Sequence, residues 1–296
     1  MYRRWLWPGF ALPGVLWLLV LFVVPFYAVV AVAFGTVDPI LAQPVPIWNP
    51  LEWNVGWIVE VLHRFAPGGT FFGPSVRTIE YVASSLALCL LIGYPVAYYI
   101  ARHAGRMKSL LLVLIILPLW ISYLMRMLAW VNLLATDGYV NRFLTFTHVL
   151  SQPREWLGGE PSTVVLALVY GYIPYLILPL FAALDRIDRS HLEAARDLGA
   201  SPLSTFLHVT LPLSKTGILG GAVLITLPMF GDYYTPNLMT ASPENTMMGN
   251  AIDLALQGQG KQPEGAAITL LLSAFIGALM IYYLVSVSRA AKEAQR

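Results

Sequence analysis

Long runs of apolar residues alternate with short polar segments along the whole chain, and these runs predict membrane-spanning helices. A helix needs roughly 20 apolar residues to cross the hydrocarbon core of a bilayer, which is about 30 Å thick. Five runs carry no charged residue, and a sixth carries Asp232 alone. The six runs are residues 5–37, 81–101, 109–125, 163–184, 217–239 and 265–288. The pattern therefore predicts an all-α integral membrane protein with six transmembrane helices.

The composition supports this class and excludes several others. Hydrophobic residues make up 57% of the chain and charged residues 11%, against about 45–50% and 25% in soluble domains. These fractions exclude a soluble enzyme, a nucleic-acid-binding protein and a disordered chain. The net charge of +2 is too small to indicate a polyanionic partner. Cys89 is the single cysteine, so we expect neither a disulfide framework nor a thiolate metal site.

The distribution of Lys and Arg predicts the orientation, because cytoplasmic loops carry an excess of both residues. Twelve of the 18 lie before the first run, between the second and third, between the fourth and fifth, or after the sixth. They are Arg3, Arg4, Arg102, Arg106, Lys108, Arg186, Arg189, Arg196, Lys215, Arg289, Lys292 and Arg296. Both termini and a loop at about residues 185–216 are therefore expected in the cytoplasm. The first run is longer than the core of a signal peptide, which spans about 7–15 residues, so we expect it to remain as a membrane anchor.

Three segments are expected on the external side. Residues 38–76 are rich in Pro, Trp and Gly, which predicts a packed external loop with a short helix near residues 55–65. Residues 137–161 and 240–264 are shorter and turn-rich. Because the sequence contains no internal repeat, residues 1–296 are predicted to form a single transmembrane domain.

The 185–216 loop has the strongest local pattern, and it predicts two short helices. Ser190 and Glu193 have the spacing of a capping box at the start of the first helix. Gly199 is suited to the left-handed conformation that ends a helix. Ser201 is a candidate cap for the second helix, with Pro202 at its first position.

This loop resembles the conserved EAA loop of ABC importer permeases. The similarity lies in six residues, namely Glu193, Ala194, Ala195, Gly199, Leu211 and Pro212. In that family the loop forms a coupling helix that docks on a separate ATP-binding subunit, so the resemblance implies this role for these six residues. The alternative is that Glu193 only completes its capping box and the loop is a solvated helical hairpin.

The resemblance also implies a type I ABC importer permease fold and a set of partners. These are a second permease subunit in a heterodimer, two ATP-binding subunits, an external substrate-binding protein and membrane lipid. The chain contains no G-x-x-x-x-G-K-[ST] phosphate-binding loop. We therefore expect a translocation subunit with no catalytic residues and no bound cofactor, while the partner ATPase uses ATP and Mg²⁺.

Further motifs resemble the spermidine/putrescine permeases of the bacterial inner membrane. They are the segments 93–98, 117–126, 138–141, 193–201 and 227–231, and the similarity covers roughly residues 80–285. This resemblance implies polyamine import. Neighbouring branches of the same group carry opines, aminoethylphosphonate, iron or thiamine, and these solutes are the alternatives.

Asp232 is the sequence feature most relevant to the transported solute. An acid within a membrane helix costs a few kcal/mol and usually faces a cavity or a partner. Tyr233 and Tyr234 follow it, and aromatic rings attract organic cations by about 0.5–2 kcal/mol. Asp232 is thus a candidate substrate contact. The alternative is a structural position near the outer interface, where Asp232 is paired with Arg126 or an external Arg.

Other aromatic residues in the third and fourth runs are candidates for the substrate pathway. Trp120, Tyr123 and Tyr172 offer stacking surfaces, although Trp and Tyr are also ordinary at membrane interfaces. Arg126 is a possible gate residue, but we expect its side chain to extend to the external interface.

Two other classes fit the sequence less well. A secondary transporter driven by an ion gradient usually contains inverted repeats or several ionisable residues within its membrane helices. An intramembrane enzyme requires a Ser/His, paired Asp or H-E-x-x-H constellation, and no predicted span contains one.

Overall fold

The computed structural model describes residues 6–240 and 242–293. Arg3, Arg4 and Arg296, which contribute to the predicted orientation, lie outside the described residues. Within them the chain forms fourteen α-helices, joined by short 3-10 turns, one π-helical turn and a two-stranded hairpin. The helices are α1 (Leu6–Ala33), α2 (Gly56–Arg64), α3 (Phe72–Arg102), α4 (Lys108–Ile116), α5 (Tyr123–Leu134), α6 (Tyr139–Phe146), α7 (Pro161–Asp185), α8 (Arg189–Asp197), α9 (Pro202–Thr205), α10 (Leu211–Leu213), α11 (Lys215–Phe230), α12 (Tyr234–Met239), α13 (Met248–Gln257) and α14 (Gln262–Glu293).

The described helices supply four to six candidate membrane spans, which confirms the prediction of apolar helices. Four single helices are long and apolar enough to cross a bilayer, within α1, α3, α7 and α14. Two further candidates are bent pairs, Gly105–Trp120 with Tyr123–Phe146 at 90°, and Pro202–Leu213 with Lys215–Phe230 at 60°. The number of spans reaches six if each bent pair crosses the membrane once.

Two of the predicted apolar runs are not continuous helices. In the run 109–125, α4 gives way to a 3-10 turn at Leu117–Trp120, and Ile121 is extended, with φ −89° and ψ 135°. Pro118 accounts for part of this interruption, because it lacks the N–H group that a continuing helix requires. In the run 217–239, α11 ends at Phe230 and a new helix, α12, begins four residues later.

The residues fall into two compact units, the first of which contains residues up to 72 together with 251–275. Its helix α1 is apolar on all sides, and every side chain from Phe10 to Phe26 is exposed, as expected for a helix surrounded by lipid or other membrane chains. A short antiparallel hairpin follows, in which Thr36 pairs with Val45.

Helix α2 confirms the short helix predicted near residues 55–65. An ion pair joins it to the start of α14, with Arg64 Nη1 2.5 Å from Glu264 Oε1. The ten-residue helix α13 was not predicted. Pro and Gly residues on both sides of it give this part of the sequence the composition of a loop.

The second unit contains residues 73–250 and those from 276 onward. Its centre is the packing of α7 against α11, which depends on small residues. A Cβ atom at Gly217 would lie 2.3 Å from Ala183 Cβ, and one at Gly221 would lie 2.7 Å from Leu176 Cδ1. Glycines four residues apart permit this close approach of two helices, as is common in membrane proteins. The packing fixes α11, at whose end Asp232 lies.

Candidate functional site

The 185–216 loop begins with a helix cap that the sequence prediction missed. Helix α8 starts after Asp188, whose Oδ1 accepts a hydrogen bond from the Ser190 backbone N–H at 3.0 Å. The predicted capping box of Ser190 and Glu193 is therefore wrong, since Ser190 is the second residue of the helix. Asp188 is a competitive cap because a carboxylate both accepts this bond and favours the positive end of the helix dipole.

The end of α8 confirms the predicted role of Gly199. Its φ of +83° lies in the left-handed region. The Gly199 N–H donates to Arg196 O at 2.8 Å, and the Ala200 N–H donates to Ala195 O at 3.0 Å. These two bonds form a Schellman motif, so the chain reverses direction at a defined point.

The start of the second helix is also confirmed. Ser201 Oγ accepts a hydrogen bond from the Ser204 N–H at 3.2 Å, and Pro202 is the first residue of α9. The chain then continues through a π-helical turn, Phe206–Thr210, and α10 to Lys215, where α11 begins. The loop is thus continuous with a candidate membrane span.

Aromatic contacts fix this loop to α3. The ring of Phe206 packs edge-on against Tyr94 and Tyr98, with centroid distances of 5.7 Å and 6.0 Å. The hydroxyl groups of Tyr94 and Ser214 are 2.8 Å apart. A displacement of the loop would therefore act on both α3 and α11.

The six residues proposed for coupling lie at the surface. Glu193, Ala194, Gly199 and Pro212 are exposed, and Ala195 and Leu211 are half-buried. Leu198, which sequence reasoning did not single out, has 90% of its surface exposed between these residues. A large apolar side chain in this position is suited to contact with another protein.

The cap gives a pH-dependent expectation for α8. The backbone N–H of Ser190 stabilises the Asp188 carboxylate and holds its pKa below the usual value. Because the folded pKa is lowered, this stabilisation is complete at neutral pH and is lost as the pH falls through the lowered pKa. We expect Asp188→Ala to accelerate amide hydrogen exchange in α8 several-fold at pH 7, as measured by mass spectrometry. Asp188→Asn is the control and should retain slow exchange, since Asn also caps helices. If α8 exchanges at the same rate in Asp188→Ala as in the wild type, Asp188 does not stabilise the helix start.

A second site surrounds Asp232, which is buried with only 6% of its surface exposed. Its Oδ1 accepts the Thr235 N–H at 3.0 Å, which stabilises the first turn of α12. Its Oδ2 is 2.7 Å from both Thr235 Oγ1 and Tyr123 Oη, and 3.3 Å from Tyr172 Oη. The carboxylate thus connects α5, α7 and α12.

Arg126 lies over the ring of Tyr123. Its side chain is buried, with 5% exposed, and its Cζ is 5.4 Å from the centroid of that ring. The expectation that it extends to the external interface is wrong, because the side chain is buried and its Nη1 donates a long hydrogen bond to Gly171 O at 3.5 Å. Among the described residues, no ion pair joins Arg126 to Asp232. The partners of Asp232 are hydroxyl groups and a backbone N–H, and not the Arg side chain that the sequence suggested as an alternative.

A cavity of about 650 Å³ lies beside this cluster. Trp120, Tyr123 and Tyr172 line it, together with Arg126 and Tyr175. Three of the predicted pathway residues are therefore brought together, and Asp232 lies directly behind two of them. The volume falls within the range of small-molecule sites, about 300–1,000 Å³.

The other two predicted pathway residues lie elsewhere. The rings of Tyr233 and Tyr234 pack on each other, with centroids 4.0 Å apart, and neither is among the described residues that line the cavity. Sequence reasoning missed Thr235, although Asp is among the residues that commonly accept a backbone N–H group at the start of a helix. It also missed Gly171, for which the sequence contains no signal.

Gly171 allows the Tyr123 ring to approach α7, which gives a direct test of the cluster. A Cβ atom at position 171 would lie 2.7 Å from Tyr123 Cε2, so the ring would have to move away from Asp232. We expect Gly171→Ala to destabilise the protein by about 1–3 kcal/mol, measured as a lower midpoint of thermal unfolding. The control is Gly277→Ala, where a Cβ atom meets nothing within 4 Å. Equal midpoints for the two variants would contradict the predicted clash.

The apolar helices, which include two bent pairs, and the aromatic cavity are consistent with a multi-pass membrane transport protein. The chain belongs to the family of binding-protein-dependent transport system inner membrane components, whose sequence profile matches residues 91–292. Its role is that of a permease subunit of an ABC importer in the inner membrane, a transport component and not an enzyme.

Individual relatives agree with this assignment. The chain is 34% identical over 213 residues to the spermidine/putrescine transport system permease protein PotB of Escherichia coli (strain K12), covering 72% of this chain and 77% of that protein. It is 31% identical over 275 residues to PotB of Haemophilus influenzae, covering 90% of this chain and 89% of that protein. A chain in the crystal structure of a bacterial alginate ABC transporter, in complex with an alginate pentasaccharide-bound periplasmic protein, matches with a TM-score of 0.71 and 18% identity, covering 95% and 93%. This last similarity shows the fold alone.

Proposed function

We propose that this permease subunit imports spermidine or putrescine across the inner membrane. The observation that carries the proposal is the similarity to PotB of Haemophilus influenzae, which extends over 90% of this chain. The cavity adds physical support. Polyamines are flexible organic cations, and the rings of Trp120, Tyr123 and Tyr172 offer the aromatic faces that attract such groups.

Asp232 is proposed to serve this pathway as the only acid in the six apolar runs. Its Oδ2 accepts hydrogen bonds from Tyr123 and Tyr172, so it orients two of the aromatic side chains that line the cavity. During transport it is proposed to contact the cationic substrate once these tyrosines move. In the conformation described here it acts as a positioning residue.

The proposed topology has six spans with both termini in the cytoplasm. Each bent pair contributes one crossing, and in the second pair Lys215–Phe230 enters the membrane while Pro202–Leu213 remains at its cytoplasmic surface. The excess of Lys and Arg in the predicted cytoplasmic segments supports it. The 185–216 loop is then cytoplasmic, as contact with an ATPase requires, and residues 1–296 act as one transmembrane domain.

The proposed partners are a second permease subunit, two ATP-binding subunits that use ATP and Mg²⁺, and an external substrate-binding protein. The exposed residues of the loop support a contact with the ATPase, above all Glu193 and Leu198. The bond between Tyr94 and Ser214 then relays movement of the loop to α3 and α11. Because Asp232 follows α11, this route connects ATP hydrolysis to the cavity.

Uptake of labelled spermidine by liposomes tests the proposal. The liposomes contain this chain with its ATPase and second permease, the binding protein outside, and ATP or no ATP inside. ATP-dependent accumulation is expected. If the binding protein stimulates ATP hydrolysis but spermidine does not accumulate, polyamine is wrong as the cargo, and opines, aminoethylphosphonate, iron and thiamine become the solutes to assay. Accumulation driven by an ion gradient without ATP would instead indicate a secondary transporter.

A further inference from the structure

The described lining of the cavity carries a positive charge and no acid. Among the described residues that line it, Arg126 alone is charged. The Nε of Arg126 is buried and has no hydrogen-bond partner among the described residues, and its Nη1 has only the long bond to Gly171 O at 3.5 Å. A charge in such low-dielectric surroundings acts over a longer range than one in water. In this cavity the charge of Arg126 therefore opposes the attraction that the aromatic rings exert on a cation.

Tyr123 separates this charge from the acid behind it. Its ring faces Arg126, while its hydroxyl group donates to Asp232 Oδ2 at 2.7 Å. The remaining acceptor capacity of Asp232 is directed toward Tyr172 and Thr235. Asp232 is also not among the described residues that line the cavity. Arg126 thus contacts the ring of Tyr123 and Asp232 contacts its hydroxyl group, and among the described residues no ion pair joins the two charges.

We propose that Arg126 determines the charge selectivity of the cavity, and that Tyr123 controls it by holding Asp232 away from the cavity. In the described conformation Arg126 disfavours cations. When Tyr123 leaves Asp232, the carboxylate becomes accessible from the cavity and offsets the charge of Arg126, and the aromatic cavity accepts an organic cation. The first part concerns the cavity alone, while the acceptance of an organic cation rests on the function proposed above.

The charge of the cavity can be measured with a cysteine as a reporter. Trp120 lines the cavity and is 81% exposed, so Trp120→Cys provides an accessible thiol. The natural Cys89 is fully buried and is the single cysteine of the chain. The complex, assembled with cysteine-free partner subunits, is treated with a cationic or an anionic methanethiosulfonate. The ratio of the two rate constants reports the local potential, because changes in thiol reactivity affect both reagents equally.

Removal of the Arg126 charge is expected to change this ratio strongly. In the Trp120→Cys background the anionic reagent should react faster than the cationic one, and Arg126→Gln should lower the ratio of the two rate constants about tenfold. Arg126→Lys, which retains the charge, should keep most of the preference for the anionic reagent. A cysteine at exposed Ser151, outside the cavity lining, should show a ratio that no Arg126 variant alters. An unchanged ratio in Arg126→Gln, or equal losses in the Gln and Lys variants, would overturn the proposal.

The role of Tyr123 is tested in the same assay. Tyr123→Ala should make Asp232 accessible from the cavity and so lower the preference for the anionic reagent. Adding Asp232→Asn should restore that preference, because no acid then offsets the charge of Arg126. If the double variant behaves like Tyr123→Ala alone, the proposed role of Tyr123 is wrong. Copurification of the second permease and the ATP-binding subunits shows that each variant is folded and assembled.

The two proposals can fail separately. The reagents are not substrates, so the ratio reports the field of Arg126 whatever solute the importer carries. Failure of the wild-type complex to accumulate spermidine would overturn the polyamine proposal and leave the Arg126 result standing. Normal spermidine uptake together with a ratio insensitive to Arg126 would overturn this inference alone.

Discussion

Replacing Gly199 with valine is expected to reduce ATP-driven uptake at least tenfold while leaving the protein in the membrane. The φ of +83° at this position is left-handed, which costs roughly 1–2 kcal/mol for a residue with a side chain and more for a β-branched one. A Cβ atom here meets nothing within 4 Å, so the effect comes from the backbone and not from a clash. The two hydrogen bonds that end α8 would break, and the exposed Leu198 would lose its fixed position.

The matched control for this prediction is Gly199→Asn, because asparagine tolerates the left-handed region better than other residues with side chains. Uptake in this variant should remain within about threefold of the wild type. Both variants should be assayed in liposomes with the partner subunits, and copurification of the ATPase should be measured alongside. If Gly199→Val transports as well as Gly199→Asn, the geometry of this helix end does not matter for coupling.

The difference between the two sites explains how much of them the sequence could predict. The helix ends within the 185–216 loop are governed by hydrogen bonds among residues within six positions of one another. Its left-handed glycine and the cap at Ser201 were therefore predicted correctly. The one error concerns the start of α8, where the sequence offers two possible caps. Asp188 caps the helix, so Ser190 lies within it.

The cluster around Asp232 depends on contacts that no local pattern encodes. Tyr123 and Tyr172 are 109 and 60 residues away from it in sequence. The sequence marks Pro118 as an interruption, but it contains no signal for the 90° bend that brings the start of α5 to this place. The spacing of apolar residues cannot show which helix faces pack together, because residues that face lipid are as apolar as those in the core of a membrane protein. The burial of Arg126 was missed for the same reason.

Neutralising Asp232 is expected to reduce spermidine uptake at least tenfold. Four donors converge on this carboxylate, from Thr235, Tyr123 and Tyr172. Asp232→Asn offers one acceptor oxygen and introduces an amide donor where hydroxyl groups now donate. A hydrogen bond to a charged group contributes about 1.5–3 kcal/mol, and about 1.4 kcal/mol corresponds to a factor of ten. Both the position of the tyrosines and the attraction for a cation should therefore weaken.

Thr235→Val separates these two effects, because it removes one hydroxyl donor and preserves both the shape of the side chain and the charge of Asp232. If charge is the property that transport requires, Thr235→Val should retain most of the uptake that Asp232→Asn loses. If the hydrogen-bonded arrangement is what matters, both variants should lose uptake to a similar extent. Wild-type uptake by Asp232→Asn would remove Asp232 from the substrate pathway and leave it as a residue that stabilises the start of α12.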